Sequence, residues 1–294
     1  MHLMTKMLII YELIDWIERN IHQPLSIDDV SEKSGYTKWH LQRLFKQYSG
    51  YNLAEYIRAR RLSTAAIELR FCRKRVFDIA LEYGFDSMQS FSRAFKQRFG
   101  ISPGQYRDQP HWILSGLCPP LNVPSSGIPI QPSVKSLPDL CLLGITVTST
   151  CSFEDVVSRR EQPGFTLWQT LFKDFRIIPP VAFGLSQVKL TAEGNLEHHY
   201  FMAVSQQEKT GLRRAETMKL AGGTYLSFIY CGHASALKEF ISYIYLIYLP
   251  TKRITRREGP DIELFYLNGT MPDDTITHNN NIKCDYLIPV VDLA

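Results

Sequence analysis

Residues 41–58, "LQRLFKQYSGYNLAEYIR", and 91–108, "FSRAFKQRFGISPGQYRD", are two versions of one segment, and this repetition dictates the architecture of the front of the chain. At an offset of 50, Arg43/Arg93, Phe45/Phe95, Lys46/Lys96, Gln47/Gln97, Gly50/Gly100 and Tyr56/Tyr106 coincide; upstream the offset is 49 and pairs Gly35 with Gly84. A fixed period means one supersecondary unit used twice. Each copy reads as a short helix, a glycine turn and a capped amphipathic helix. In the first, Ser26 caps the short helix with Asp28 and Asp29 in its first turn, Gly35 turns, and Thr37 caps the second helix, which ends by Gly50. In the second, Gly84 turns, Asp86 or Ser87 caps, and the helix runs to Gly100 with Pro103 beyond. That is the helix-turn-helix layout.

The second helix of the first copy has two faces. Leu41, Leu44, Phe45 and Tyr48 stack at helical spacing and require a core; Trp39, Gln42, Arg43 and Lys46 stack on another side, without an acid. An indole, an amide and a guanidinium are groups that meet base edges and phosphates. Lys38, Trp39, Gln42, Arg43 and Lys46 are therefore the candidate readers, with Gln89, Ser92, Arg93 and Lys96 beside Met88 in the second copy. The poorer hydrogen-bonding set of the second copy predicts that the first helix contributes more specificity. The competing reading pairs Arg43 and Arg93 with acids such as Glu82 or Asp86 and packs Trp39 inside.

Between the copies, "LAEYIRARRLSTAAIELR" (53–70) lacks Gly and Pro and reads as one helix. Such a rod extends ~27 Å, so reading helices beyond its ends can reach major grooves about 34 Å apart. A monomer then recognises an asymmetric site of roughly 20 base pairs on double-stranded DNA. The basic run Arg58, Arg60, Arg61, Arg70, Arg73, Lys74, Arg75 is expected partly at phosphates, Arg61 and Arg73 among them, with Arg60 in an internal ion pair. Charge agrees: residues 1–112 hold 17 Lys+Arg against 12 Asp+Glu, net +5, and the remainder 16 against 17.

The whole front segment resembles the AraC/XylS family of bacterial transcription activators, through "GYTKWHLQRLFK", "YIRARRL" and "FDSMQSFSRAFKQRFGISPGQYR". The likeness spans about residues 8–110. It implies a monomeric activator that binds promoter DNA and helps recruit RNA polymerase at stress, drug-efflux and solvent-tolerance genes. Position by position, Trp39, Gln42 and Arg43 match the family's first reading helix, and Gln89, Ser90 and Arg93 its second. Met88 stands where close relatives usually have glutamine.

Residues 111–138 hold six prolines, which exclude a helix and mark a connector whose tail can enter the next domain's first strand. The expected organisation is an all-α double helix-turn-helix domain at 1–112, a Pro-rich linker at 113–128, and an α+β domain at 129–294. In the last, strands "LLGITVTS", "VAFGLSQV" and "HHYFMAVS" surround a helical stretch at 153–175, and the order recurs as "GTYLSFIYC", helix "ALKEFISYIYLIYL", "DIELFYL" and "IKCDYLIPVV". Strand, helix, strand, strand, twice, predicts a pseudo-twofold axis, with a crevice between the halves. The arrangement resembles the GyrI-like effector-binding domain over roughly 129–292, most clearly in "PPVAFGL", "GGTYLSFIY" and "TRREGPDIELFY". The resemblance implies a pocket for amphipathic or aromatic effectors, in some relatives with one acid among aromatics to receive cationic drugs.

Glu263 alternates with Ile262 and Leu264, on the side of Phe265 and Leu267. A carboxylate on an apolar strand face is costly, so it faces a pocket or Arg256 or Arg257 neutralises it. Trp168, Tyr225, Phe228 and Tyr243 are the aromatic lining candidates. Glu197-His198-His199 is expected as surface histidines on opposite strand faces. The six cysteines lack C-x-x-C spacing and read as reduced thiols. No metal, cofactor, membrane span or enzyme motif is expected, and the chain reads as cytoplasmic. Two further readings of the rear domain stay open: a small-molecule hydrolase with Glu263 as base, and a protein-interaction and sequestration module.

Overall fold

A computed structural model describes residues 2–23, 25–122, 130–151, 179–207, 215–267 and 281–291. It divides into two compact units: Met1–Gln109 with Ile113–Ser125 and Tyr243–Arg253, and Pro110–Trp112 with Ser126–Ser242 and Ile254–Ala294.

The described part of residues 1–109 in the first unit forms the helices α1 (His2–Arg19), α2 (Ile27–Ser34), α3 (Lys38–Ser49), α4 (Leu53–Phe71), α5 (Val76–Glu82), α6 (Met88–Phe99) and α7 (Pro103–Asp108). Local chemistry sets their ends. Ser26 and Asp29 form a capping box on α2, and Thr37 and Ser87 cap α3 and α6. Gly35 and Gly84, at φ 69° and 72°, turn each pair through the left-handed region that L side chains avoid. The expected duplication is thus realised element for element.

The central α4 serves both copies. Its Leu53, Tyr56, Ile57 and Ala59 join Leu41, Leu44 and Phe45 of α3 in the first core. Its other end holds Glu68, which accepts a hydrogen bond from the Tyr83 hydroxyl at 2.9 Å. Glu18 in α1 holds the corresponding place in the first copy, accepting from the Tyr56 hydroxyl at 2.6 Å and from Arg60. Because it packs on both sides, α4 carries no one-sided apolar stripe, and most of its residues are buried.

The expected linker is not a free connector throughout. Leu114, Leu117 and Cys118 are buried, the Cys118 amide donates to Ser63 Oγ at 2.7 Å, and the Leu121 amide donates to the Tyr56 hydroxyl at 3.1 Å. Proline prevents a helix there, but alternating apolar residues still dock the chain on the first unit.

In the second unit the strands β2 (Ser133–Leu137), β3 (Leu140–Cys151), β4 (Val181–Leu190), β5 (Leu196–Ser205), β6 (Glu216–Leu220), β7 (Gly223–His233), β9 (Asp261–Tyr266) and β10 (Asn281–Pro289) form one sheet. Two-residue strands β1 (Trp112–Ile113) and β8 (Thr255–Arg256) lie outside it. The order β2-β7-β10-β9-β4-β5-β3-β6 is palindromic in the repeat, with the pseudo-twofold axis between β4 and β9. Each edge strand precedes the first long strand of its own half and pairs with that of the other: β2 with β7, β6 with β3. The halves therefore share continuous antiparallel hydrogen bonding through β4 and β9. One sheet face buries Leu185, Phe201, Tyr225, Ile262 and Leu287. The other buries Ala182, Tyr200, Met202 and Val204, and at that face α8 (Leu237–Tyr243) sets Phe240 5.0 Å from the Tyr230 ring. The strand β6 was not legible in the sequence. The helix expected at 153–175 lies outside the described residues.

Candidate functional site

On α3 the cap at Thr37 orients the first turn, and Leu41, Leu44 and Phe45 bury the opposite face. Lys38, Trp39, Gln42, Arg43 and Lys46 are all exposed. Trp39 is 68 % exposed, which excludes the reading that packs it inside. The Arg43 guanidinium lies 4.9 Å from the Trp39 ring centroid, so cation–π attraction organises the pair as one surface. Lys38 makes an ion pair with Asp28. Neither Arg43 nor Arg93 forms an ion pair among the described residues.

On α6 Gln89, Ser90, Arg93 and Lys96 are exposed, while Ser92 and Met88 are half-buried. The Ser90 hydroxyl donates to the Ser87 carbonyl at 2.8 Å, leaving its oxygen as acceptor. The second face is thus the poorer in free donors.

The basic run separates sharply. Arg60 is buried and forms a bidentate pair with Glu18 at 2.8–3.0 Å, while its Nη1 donates to the Cys118 carbonyl at 2.6 Å. Burial alone would lower its proton affinity; the Glu18 carboxylate outweighs that and holds it above the ordinary value. Arg61, expected at a phosphate, is half-buried, and its Nε and Nη2 donate to the carbonyls of Ile21 and Gln23 at 3.1 and 2.5 Å. It closes the chain after α1, where backbone carbonyls lack helical partners. Arg70 donates to the carbonyls of Arg107 and Gln109, Lys74 bridges Glu68 and Glu82, and Arg75 pairs with Asp78. Arg58 and Arg73 remain exposed, without an acidic partner among the described residues.

In the sheet, Glu263 sits beside the pseudo-twofold axis, in register with Gly184 of β4 and Tyr286 of β10. Its residue is only 3 % exposed. One carboxyl oxygen, Oε2, accepts from the Tyr200 hydroxyl at 2.6 Å; the other, Oε1, has no hydrogen-bond partner among the described residues. Gly184 makes room: a Cβ there would lie 2.2 Å from the Tyr200 hydroxyl and 3.0 Å from Oε2. Burial pushes the carboxyl up to about 7, against the Tyr200 hydrogen bond and with a contribution from Asp261. Neither expected arginine neutralises it. Arg256 is spent on Asp261 at 2.9 Å, and Arg257 stacks 4.6 Å from the Tyr225 ring centroid.

Phe228 lies in register with Tyr286 and so shares the Glu263 face. Tyr225 lies on the opposite face from Glu263, buried with Leu185 and Leu287, because an odd step along a strand reverses the side. Tyr243 is half-buried and clusters with the first unit. Trp168 lies outside the described residues. His198 is corrected, being buried with Nε2 2.8 Å from Ser186 Oγ; His199, on the other side, meets Glu197 at 3.2 Å. No group of metal ligands occurs among the described residues, and no described helix is long and apolar enough to cross a membrane. Tyr200, Gly184 and Asp261 were missed; alternation along β5 placed Tyr200 on one side of the sheet but could not pair it with Glu263.

A helix-turn-helix domain model matches residues 30–109, and the GyrI-like small molecule binding domain model matches 130–291. The transcriptional regulator Rob of Salmonella typhimurium is 38 % identical over 96 % of this chain and 98 % of its own. The chain belongs to the AraC-type transcriptional regulators with a GyrI-like domain. The right origin-binding protein of Escherichia coli shows the same 38 % identity over the same 96 % and 98 % shares. The regulatory protein SoxS of Salmonella typhimurium is 50 % identical over 35 % of this chain and 97 % of its own, a match to the AraC-type part alone. The AraC-type helix-turn-helix indicates binding to double-stranded DNA, and the GyrI-like domain, of a small-molecule-binding family, fits an effector.

Proposed function

We propose that this regulator binds an asymmetric promoter element as a monomer, with α3 and α6 in successive major grooves, and activates stress, multidrug and solvent-tolerance genes together with RNA polymerase in the cytoplasm. Arg43 takes guanine, Gln42 adenine, and Trp39 thymine methyls or sugar, while Lys38 and Lys46 meet phosphates. Gln89, Ser90, Ser92, Arg93 and Lys96 dock the second groove, and Arg73 adds a phosphate contact. The observation that carries this reading is the acid-free face of α3, where five polar or aromatic side chains are exposed on a helix whose other face is buried.

The GyrI-like domain takes an amphipathic or aromatic effector on the Glu263 face, beside Phe228. The unpartnered Oε1 supports this, since a buried lone pair gains most from a ligand that brings a donor or a positive charge. The reading is of a receptor and not an enzyme, so ligands are expected to leave unchanged in mass.

Selection of random duplexes on the full chain, followed by sequencing, tests the DNA reading. One asymmetric motif with two blocks about one helical turn apart, bound one chain per duplex, is expected. A palindromic motif occupied by two chains overturns it. For the effector reading, turnover of a bound ligand that disappears in Glu263→Gln would replace the receptor with a hydrolase.

A further inference from the structure

The helical unit holds a cleft of about 350 Å³ that the DNA reading, on which this inference rests, touches only through Ser90. Its walls come from both helix-turn-helix copies. Leu25 and Ile27 precede and open α2, Leu53 and Ile57 belong to α4, and Phe85 follows the second glycine turn. Two cations stand at this apolar surface, Arg58 and Arg61, with Asp86 as the acid in the lining.

Arg61 is half-buried, and its two hydrogen-bonded nitrogens are Nε and Nη2. Its third nitrogen, Nη1, lies against Gly84, where a Cβ would come within 3.1 Å, and it has no acceptor among the described residues. Gly84 itself lines the cleft. A guanidinium held by carbonyls alone keeps its full charge, and partial desolvation strengthens its attraction for an anion. The volume suits a one- or two-ring molecule. A bare phosphate would satisfy the arginines but leave the apolar walls unmatched.

We infer that this cleft is a receptor for a small amphipathic carboxylate, seated with its acid on Arg58 and Arg61 and its apolar body against Leu25, Ile27, Ile57 and Phe85. Ser90, on the exposed face of α6, completes the lining, so an occupant stands where the duplex must approach. Occupation therefore opposes DNA binding, from within the helical unit and independently of the GyrI-like domain.

Calorimetric titration of the full chain with 2-naphthoate tests this. Saturable binding is expected, weakened about tenfold or more by Arg58→Ala and by the cleft-filling Ala54→Trp. Ala54 is an exposed lining residue of α4, so its replacement fills the cleft without removing an internal contact. The neutral 2-naphthamide should bind about tenfold more weakly, and 2-naphthoate should displace mixed-sequence duplex DNA. Absence of saturation or wild-type affinity in Ala54→Trp overturns the proposal. So does inorganic phosphate binding as tightly as 2-naphthoate, which would make the cleft a seat for the DNA backbone, and so does simultaneous binding of ligand and duplex without mutual effect.

Discussion

Glu263→Gln should make the GyrI-like domain more stable at alkaline pH and confer no such gain in acid. The carboxyl is neutral in both folded and unfolded chains below about 4.5, so burying it carries no charge penalty there. Between 4.5 and about 7 the unfolded chain ionises first, and the folded domain loses stability as pH rises. Above about 7 the penalty is complete, about 3 kcal/mol at roughly 1.4 kcal/mol for each tenfold change in proton affinity. Glutamine keeps the acceptor for Tyr200 and places an amide where Oε1 stands, at a cost that does not vary with pH. The informative quantity is therefore the change in the mutant-minus-wild-type difference between pH 4.5 and pH 8, expected near 3 kcal/mol in favour of glutamine at the higher pH. Urea titrations read by pulsed alkylation of Cys284, a fully buried thiol on the neighbouring strand, follow this domain alone. A difference that is the same at both pH values refutes the assignment of a buried, strained carboxylate.

Arg43→Ala should cost about 1–3 kcal/mol on the selected duplex and relax its sequence preference, whereas Arg73→Ala should weaken all duplexes alike and flatten the salt dependence; fluorescence anisotropy across a salt series separates them. Arg60→Ala should destabilise the helical unit by about 3–5 kcal/mol because it strands Glu18 in the interior, while Arg58→Ala should change melting by less than about 0.5 kcal/mol. Gly184→Ala should cost about 1–3 kcal/mol, since its Cβ cannot coexist with the Tyr200 hydroxyl, and shift the midpoint of the Glu263 titration upward when that hydrogen bond opens; carbon-detected NMR of the carboxyl reads the midpoint.

The helical unit was legible because its signals are local. Ser26, Thr37 and Ser87 act within three residues of themselves, Gly35 and Gly84 permit turns that other residues resist, and the 50-residue repeat doubles every inference. The strands alternated clearly enough to give the repeated order. The edge strand β6 escaped because "ETMKL" is short and mostly exposed, and takes its pairing from β3, more than seventy residues earlier. Among the effector-site candidates, Tyr225 and Phe228 looked equivalent as aromatics of one strand, yet a three-residue separation puts them on opposite faces.

The amino-acid sequence by itself determined that two helix-turn-helix units share a central helix, that α3 offers an acid-free face, and that a twice-repeated α+β domain follows. Only the tertiary structure decided which charges are spent and which are available. Arg60 and Glu18 are 42 positions apart, Arg61 and Ile21 are 40, and Tyr200 and Glu263 are 63. A side chain's caps and face follow from its neighbours along the chain; its hydrogen-bond partners and its burial follow from segments that only folding brings together.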